Sequence, residues 1–283
     1  MTVMLRPATP ADRPDLIALA FAEDAAWSGA PVVSADEVGE FVDSCLPGVV
    51  FVRDGRVAGY AAAGEGDETI LLVDPGDGPE PALEALVAWL GERGHHEVDS
   101  YAHDARRIAW LEANGFIHRR SFFDLHRGIN PPLAPAIWPS GVEIARYRPG
   151  EDDGAVHALI YVDAAWGEVP GHTRRSLEAW RSMLTPEYRG WVARRDECPV
   201  GWVVGRVFDD GRGWVEQLAV ARSARGLGVG RALLLHSLAE LCPGGATSLA
   251  TGVQAENENA IGLYRDVGFD VDREWRVYSE STT

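Results

Sequence analysis

The chain has 283 residues, a formal net charge of −17 and 26 basic residues, every one of them arginine. That length accommodates one large domain or two of ordinary size, and the acidic balance argues against a nucleic-acid partner, which needs a basic surface to displace counterions. The absence of lysine excludes a Schiff base and a lysine-bearing P-loop. The opening "MTVMLRPATPADRPDL" lacks the basic start and apolar middle of a secretory signal, and the longest apolar runs fall short of a bilayer span, so a cytoplasmic protein with no membrane partner is expected. Cys45, Cys198 and Cys242 are odd in number and widely spaced, and His95, His96 and His103 stand apart from carboxylates and cysteines, so no disulfide framework and no metal site are expected.

In chain order, "LRPATPADRPDLIAL" reads as a short strand followed by a helix with acidic residues near its start. "VVFVRDGRVAGYAAAG" reads as a hairpin turning at Asp54-Gly55, and "AWLEANGF" (Ala109 to Phe116) as a helix stopped by a glycine before a strand. The segment "HRGINPPLAPAIWPSG" holds Pro131, Pro132, Pro135 and Pro139, too many for a helix or an inner strand, and reads as a linker. Beyond it the same landmarks return in order. "IARYRPGEDDGAVHAL" matches the first, "RGWVARRDECPVGWVVGRV" the second and "GLYRDVGF" (Gly262 to Phe269) the third, at offsets of roughly 140 to 153 residues. A tandem duplication follows, with domains at 1–128 and 142–283 joined by a linker at 129–141. Each is expected to be a mixed α/β domain with a mainly antiparallel sheet flanked by helices.

The two halves differ where a strand meets a helix. The second has "EQLAVARSARGLGVGRALL", in which Gly226, Gly228 and Gly230 bare the backbone at a helix mouth, where free amides and the helix dipole favour an anion. The first has "TILLVDPGDGPEPALEALVAWL", with Asp74, Asp77 and Glu80 at the same place, and these carboxylates would repel a phosphate. The first 130 residues carry 10 Arg against 22 Asp plus Glu, and residues 141–283 carry 16 against 21, so a phosphate pocket belongs to the second half. A dinucleotide fingerprint is disfavoured because Gly228-Val-Gly230 continues as Arg-Ala-Leu, without the further glycine and distal acid.

Arg225-Gly-Leu-Gly228-Val-Gly230 after the strand "WVEQLAV" resembles the R/Q-x-x-G-x-G/A signature of the GCN5-related N-acetyltransferase (GNAT) superfamily. "NENAIGLYRDVGF" resembles the later element of that superfamily at Asn257, Ala260, Leu263, Tyr264, Gly268 and Phe269. The tandem layout with a degenerate first copy is similar to that of mycothiol synthase relatives. The resemblance implies acetyl-CoA as cosubstrate, with its pyrophosphate on the amides of Arg225, Gly226, Leu227, Gly228, Val229, Gly230 and Arg231 and its pantetheine arm beside the main chain of Leu218, Ala219 and Val220. Asn257 reads as a helix cap, and the resemblance adds a hydrogen bond to the pantetheine.

Moving an acetyl group to an amine needs a base, an oxyanion donor and an acid. Alternation along "WVEQLAV" puts Glu216 on the face of Trp214, Leu218 and Val220, as the expected base. A main-chain N–H of Leu218 or Val220, freed by a bulge, is the expected oxyanion donor. Tyr264 falls at the family position whose hydroxyl faces the sulfur, as the expected acid. In the segment Tyr161 to Leu184, where relatives form the acceptor wall, Asp163, Trp166, Glu168, His172 and Trp180 could make an aromatic, acidic pocket for a small, cationic amine; Trp166 and Trp180 equally suit a core. The reading is direct transfer in a ternary complex, by a monomer or homodimer. The competing reading is a non-catalytic acyl-CoA sensor or interaction module on the same fold.

Overall fold

The computed structural model describes residues 2–29, 34–44, 48–63, 69–76, 78–169 and 174–280. They divide into two compact units. Unit 1 comprises residues 1–123, 254–256 and 273–283, and unit 2 comprises residues 124–253 and 257–272. The boundary does not fall at 128: it cuts the long strand Phe116–Gly128, and the last strand, Asp270–Glu280, belongs to unit 1 from Arg273 onward. Among the described residues no helix is long and apolar enough to cross a membrane, and no group of three or more His, Cys, Asp or Glu could hold a metal. Cys45 and Asp77 lie outside the described residues.

The first half of the chain runs β1 (Val3–Pro7), α1 (Arg13–Ser28), α2 (Ala35–Ser44), β2 (Val49–Arg53), β3 (Arg56–Ala63), β4 (Thr69–Val73), α3 (Glu80–Gly91), β5 (Glu97–Tyr101), α4 (Ala105–Ala113) and β6 (Phe116–Gly128). The second repeats that order as β7 (Glu143–Arg146), α5 (Asp153–Ala158), α6 (Leu177–Ser182), β8 (Arg189–Arg195), β9 (Cys198–Val207), β10 (Arg212–Val220), α7 (Val229–Leu241), β11 (Ser248–Gln254), α8 (Glu258–Asp266) and β12 (Asp270–Glu280). Even local devices recur. Asp104 caps α4 by accepting from Arg107 N at 2.9 Å, and Asn257 caps α8 by accepting from Ala260 N at 3.1 Å. The glycine after each of these helices, Gly115 and Gly268, has positive φ and stops it.

In unit 1, strands β1 to β4 form an antiparallel sheet in sequential order. The period of two along β2 and β3 sorts their side chains onto two faces. Val50, Val52, Tyr60 and Ala62 pack with Leu16 and Leu19 of α1 and Val38 of α2. Val49, Phe51 and Ala61 pack on the other face with Leu83, Leu86 and Leu90 of α3 and Leu111 of α4. Strand β5 pairs with β12 through Tyr101↔Trp275 to Glu97↔Ser279, and β4 ends the four-stranded sheet without pairing to β5.

Buried charge bridges that interruption. Glu23 of α1 accepts from the β4 amide of Val73 at 3.4 Å and pairs with Arg107 of α4, which donates to the β5 carbonyl of Asp99 at 3.2 Å. Asp24 beside it accepts from Tyr101 and pairs with Arg273 at 3.1 Å. Glu23, Asp24, Arg107 and Arg273 are all buried, so each depends on its partner to offset the loss of hydration.

Unit 2 orders its strands β7-β8-β9-β10-β11, antiparallel except that β10 and β11 run parallel. On one face α5, the turn after it and α6 pack Val156, Leu159, Ile160 and Trp180 against Val192, Trp202, Val204 and Ala219. On the other face α7 lies so close to β9 that a Cβ on Gly201 would stand 2.5 Å from Leu233 Cδ1. This seats the start of the helix firmly on the sheet.

Arg107→Ala leaves Glu23 buried without its cation and is expected to cost about 3–5 kcal/mol of unfolding free energy. Pairing it with Glu23→Leu should restore most of that loss. Urea-melt midpoints of the single and double variants check both expectations.

Candidate active site

The site of unit 2 begins where two parallel strands part. β10 pairs with β11 from Arg212↔Ser248 to Val215↔Thr251 and no further, although both strands continue. On its other side β10 stays paired to β9 through Val220↔Gly201, with one irregularity: Val215 faces Gly205 and Gln217 faces Val204. Glu216 is the extra residue of this bulge. The Thr251 hydroxyl ties the strands at the fork by donating to Val215 O at 3.0 Å.

Beyond the fork the edge of β10 that faced β11 is open. Ala221 N donates to Val200 O at 3.0 Å, so by alternation Ala219 also spends its main-chain groups on β9. Leu218 and Val220 then present theirs to the open edge, and the Val220 carbonyl accepts from Arg225 Nε at 3.4 Å. Leu218 and Val220 thus have the open main-chain groups that the expected pairing with a pantetheine arm requires, whereas the Ala219 side chain is buried in the core and its main chain is turned to β9. The bulge itself falls at Glu216, two residues earlier than the main-chain donors it was expected to free.

The glycine loop follows at the end of that strand. Gly226 and Gly228 have φ of +74° and +89°, and a Cβ on either would meet nothing within 4 Å, so the glycines serve the turn rather than packing. Gly230 lies closer in, where a Cβ would stand 3.4 Å from Val220 Cγ2 and 3.6 Å from Leu263 Cδ2. Helix α7 starts at Val229, and among the described residues no main-chain acceptor stands in hydrogen-bonding geometry to the amides of Gly226 through Arg231. Arg225 holds the loop from below by donating to Ala164 O at 2.7 Å. That carbonyl directly follows a π-helical stretch, Leu159–Asp163, closed by an Ala164 N to Leu159 O bond of 2.7 Å and followed by Ala165 at φ +60°. The result is a run of free amides at a positively polarised helix end, shaped for an anion.

Two titratable groups flank the fork. The Glu216 carboxylate accepts from Trp214 Nε1 at 2.9 Å and from Tyr188 OH at 3.5 Å. Burial raises its pKa above the ordinary carboxylate value, against the lowering effect of the Trp214 hydrogen bond and the charges of Arg175 and Arg206. Tyr264 is buried on α8, edge-on to Phe269 with ring centroids 5.8 Å apart, and its hydroxyl bonds to Thr251 at the fork. Burial raises its pKa too, so it holds its proton at neutral pH.

The acceptor-wall residues separate. Trp180 has no exposed surface; its indole donates to Gln217 Oε1 at 3.2 Å and packs against Trp202, Tyr147 and His157, so it is a core residue and lines no pocket. Trp166 is half-buried against the same core. Asp163 is exposed, and Glu168 is spent on an exposed ion pair with Arg222 at 2.6 Å. His172 lies outside the described residues. Sequence reasoning missed Tyr188, Arg175 and Arg206, which surround Glu216 from other elements. Nothing in their local sequence marks them, because only the fold brings them to β10. Asn257 accepts from Ala260 N as the helix cap.

Comparison with known proteins agrees with this geometry. The pattern of the Acetyltransferase (GNAT) family matches residues 156–269. The chain is 30% identical over 230 residues to the mycothiol acetyltransferase of Thermomonospora curvata, covering 77% of each. It is 31% identical over 281 residues to that of Kineococcus radiotolerans, covering 92% of this chain and 90% of the relative. Among solved structures, a GCN5-related N-acetyltransferase from Sphaerobacter thermophilus superposes with a TM-score of 0.81 at 24% identity over 98% of this chain and 94% of its own. A tandem GNAT protein from the clavulanic acid biosynthesis pathway does so at 0.76 with 16% identity over the whole of both chains. The duplicated element order, the fork with its free amides and these relatives lead to one conclusion: the chain belongs to the GCN5-related N-acetyltransferase family and is an acetyltransferase built as a tandem of two GNAT domains.

Proposed function

We propose that unit 2 transfers an acetyl group from acetyl-CoA to the primary amine of a small molecule, directly and within a ternary complex, and that unit 1 serves as scaffold. The observation that carries this reading is the convergence at one fork of an open strand edge, a run of free amides, a carboxylate of raised pKa and a protonated tyrosine. The expected cofactor residues fit the group. The amides of Gly226 to Arg231 would hold its pyrophosphate, and the open edge at Leu218 and Val220 would pair with its pantetheine arm. Acetyl-CoA would supply an activated thioester.

The protein's own groups account for the proton movements. Glu216, made more basic than an exposed carboxylate by its burial, takes a proton in its ionised form from the acceptor's ammonium, directly or through one water. The outward N–H of Leu218 stands ready to stabilise the oxygen that gains charge, a contribution typically worth about 3 kcal/mol. Tyr264 O–H protonates the sulfur that leaves. Among the described residues no cysteine belongs to the fork: Cys198 and Cys242 lie on the β9 turn and beyond α7, which favours direct transfer over an acyl-enzyme. The mycothiol acetyltransferase relatives make a mycothiol-type acceptor the first to try, and the chain's acidity suits a cationic amine.

Three outcomes are expected. Gly228→Glu, which places a side chain at φ +89° and a carboxylate among the amides, should abolish acetyl-CoA binding in a calorimetric titration, while Gly228→Ala weakens it less. Glu216→Gln should lower kcat about 100-fold or more at neutral pH, with the defect shrinking at high pH where the amine loses its own proton. The acid limb of the wild-type pH–rate profile should lie above the ordinary carboxylate range and vanish in that variant. Tyr264→Phe should lower kcat about 10- to 100-fold with little change in KM for acetyl-CoA, as expected for a group that acts on the departing sulfur. An unchanged kcat would remove Tyr264 from the mechanism.

A further inference from the structure

Unit 2 contains a recess of about 570 Å³ outside the fork, walled by the end of β6, the start of the proline-rich segment, α7, the end of α8 and the start of β12. Three arginines reach it from three separate elements: Arg127 of β6, Arg231 in the first turn of α7 and Arg265 in the last turn of α8. Arg127 is only 6% exposed. Its Nη2 donates to Pro131 O at 2.7 Å, but its Nη1 is buried with no acceptor among the described residues. A buried charged donor without an acceptor is a costly state. Arg231 and Arg265 are exposed, and neither forms an ion pair with any described residue. Three carboxylates, Asp266, Asp270 and Asp272, also line the recess; all three are exposed, so solvent screens them. Three guanidiniums without an ion pair to any described residue thus converge here, one of them with a buried Nη1 that has no acceptor, in a chain whose net charge is −17.

We propose that this recess is a binding site for a phosphate-class dianion, with Arg127 as its buried floor and Arg231 and Arg265 as its flexible arms. Guanidinium groups match phosphate oxygens in geometry as well as charge. The recess also continues from the glycine loop, because Arg231 ends the run of free amides and begins the recess wall. Its volume suits a nucleotide-sized group. The phosphate has two sources: the 3′-phosphate of the cosubstrate, in which case the inference rests on the acetyl-CoA reading above, or free phosphate from solution.

Calorimetry on the full chain separates these. The titrants are acetyl-CoA, 3′-dephospho-acetyl-CoA and inorganic phosphate, and the proteins are wild type, Arg265→Gln and Arg127→Gln. Arg265 is exposed, so its variant keeps the test valid if Arg127→Gln does not fold. The expected result is at least tenfold tighter binding of acetyl-CoA than of the dephospho form, with the difference lost in Arg265→Gln and dephospho affinity within twofold of wild type. Equal affinity for the two coenzyme forms together with phosphate binding that Arg265→Gln weakens also supports the site, with free anion as its ligand. Phosphate binding of that kind in a protein that binds neither coenzyme form would sink the acetyl-CoA reading and leave the anion site standing. Equal coenzyme affinities with no Arg265-dependent phosphate binding would overturn it.

Discussion

The parting of β10 from β11 after Val215 and Thr251 is the constraint on which the rest of unit 2 depends. A parallel pair that stayed zipped would consume the outward main-chain groups of Leu218 and Val220 and leave no edge for a ligand. The bulge at Glu216 breaks the regular register with β9 at the point of divergence and puts a carboxylate there. The Thr251 hydroxyl closes the base of the fork and brings Tyr264 to the same place. The open strand edge, the buried carboxylate and the buried tyrosine therefore meet at one irregularity in the sheet.

The comparison of the two units shows what that irregularity is worth. Gly59↔Val73 in unit 1 corresponds in register to Gly201↔Val220 in unit 2. Counting back, Ala63↔Thr69 corresponds to Gly205↔Val215, and β3 to β4 runs without a break. Unit 1 therefore has no counterpart of Glu216 at all. Leu111 stands where unit 2 has Tyr264, and Pro79 and Pro81 stand at the helix mouth where unit 2 has glycines. The space between β4 and β5 is meanwhile bridged by the Glu23–Arg107 pair, which takes hydrogen bonds from one strand and gives them to the other. The same plan of elements thus ends in an open groove once and in a closed, charged seam once.

A buried ion pair is a costly way to fill a gap, since desolvation offsets much of its attraction. It is, however, directional: each partner is fixed by main-chain hydrogen bonds as well as by charge. That suits a seam between two strands that do not pair with each other.

Much of this was legible in the residues. The repeated landmarks announced a duplication because stop glycines and hairpin turns are local devices with local signatures, and the stops recur at Gly115 and Gly268; the structure adds the paired caps Asp104 and Asn257. Gly226 and Gly228 announced a left-handed turn at a helix mouth for the same reason, and alternation along β10 put Glu216 on the face of Trp214, Leu218 and Val220 but could not show that it is the bulge residue. Tertiary structure alone decided the rest. Trp180 belongs to the core because α6 folds back onto Trp202 and Gln217, a long-range contact that its own neighbours in sequence do not encode. The return of β12 to unit 1, the ring of Tyr188, Arg175 and Arg206 around Glu216, and the meeting of Arg127, Arg231 and Arg265 are likewise long-range events. Sequence by itself determined the main elements, the glycines that stop their helices and the family; packing decided which side chains share a space, because burial and distance are properties of the folded chain and not of any local stretch.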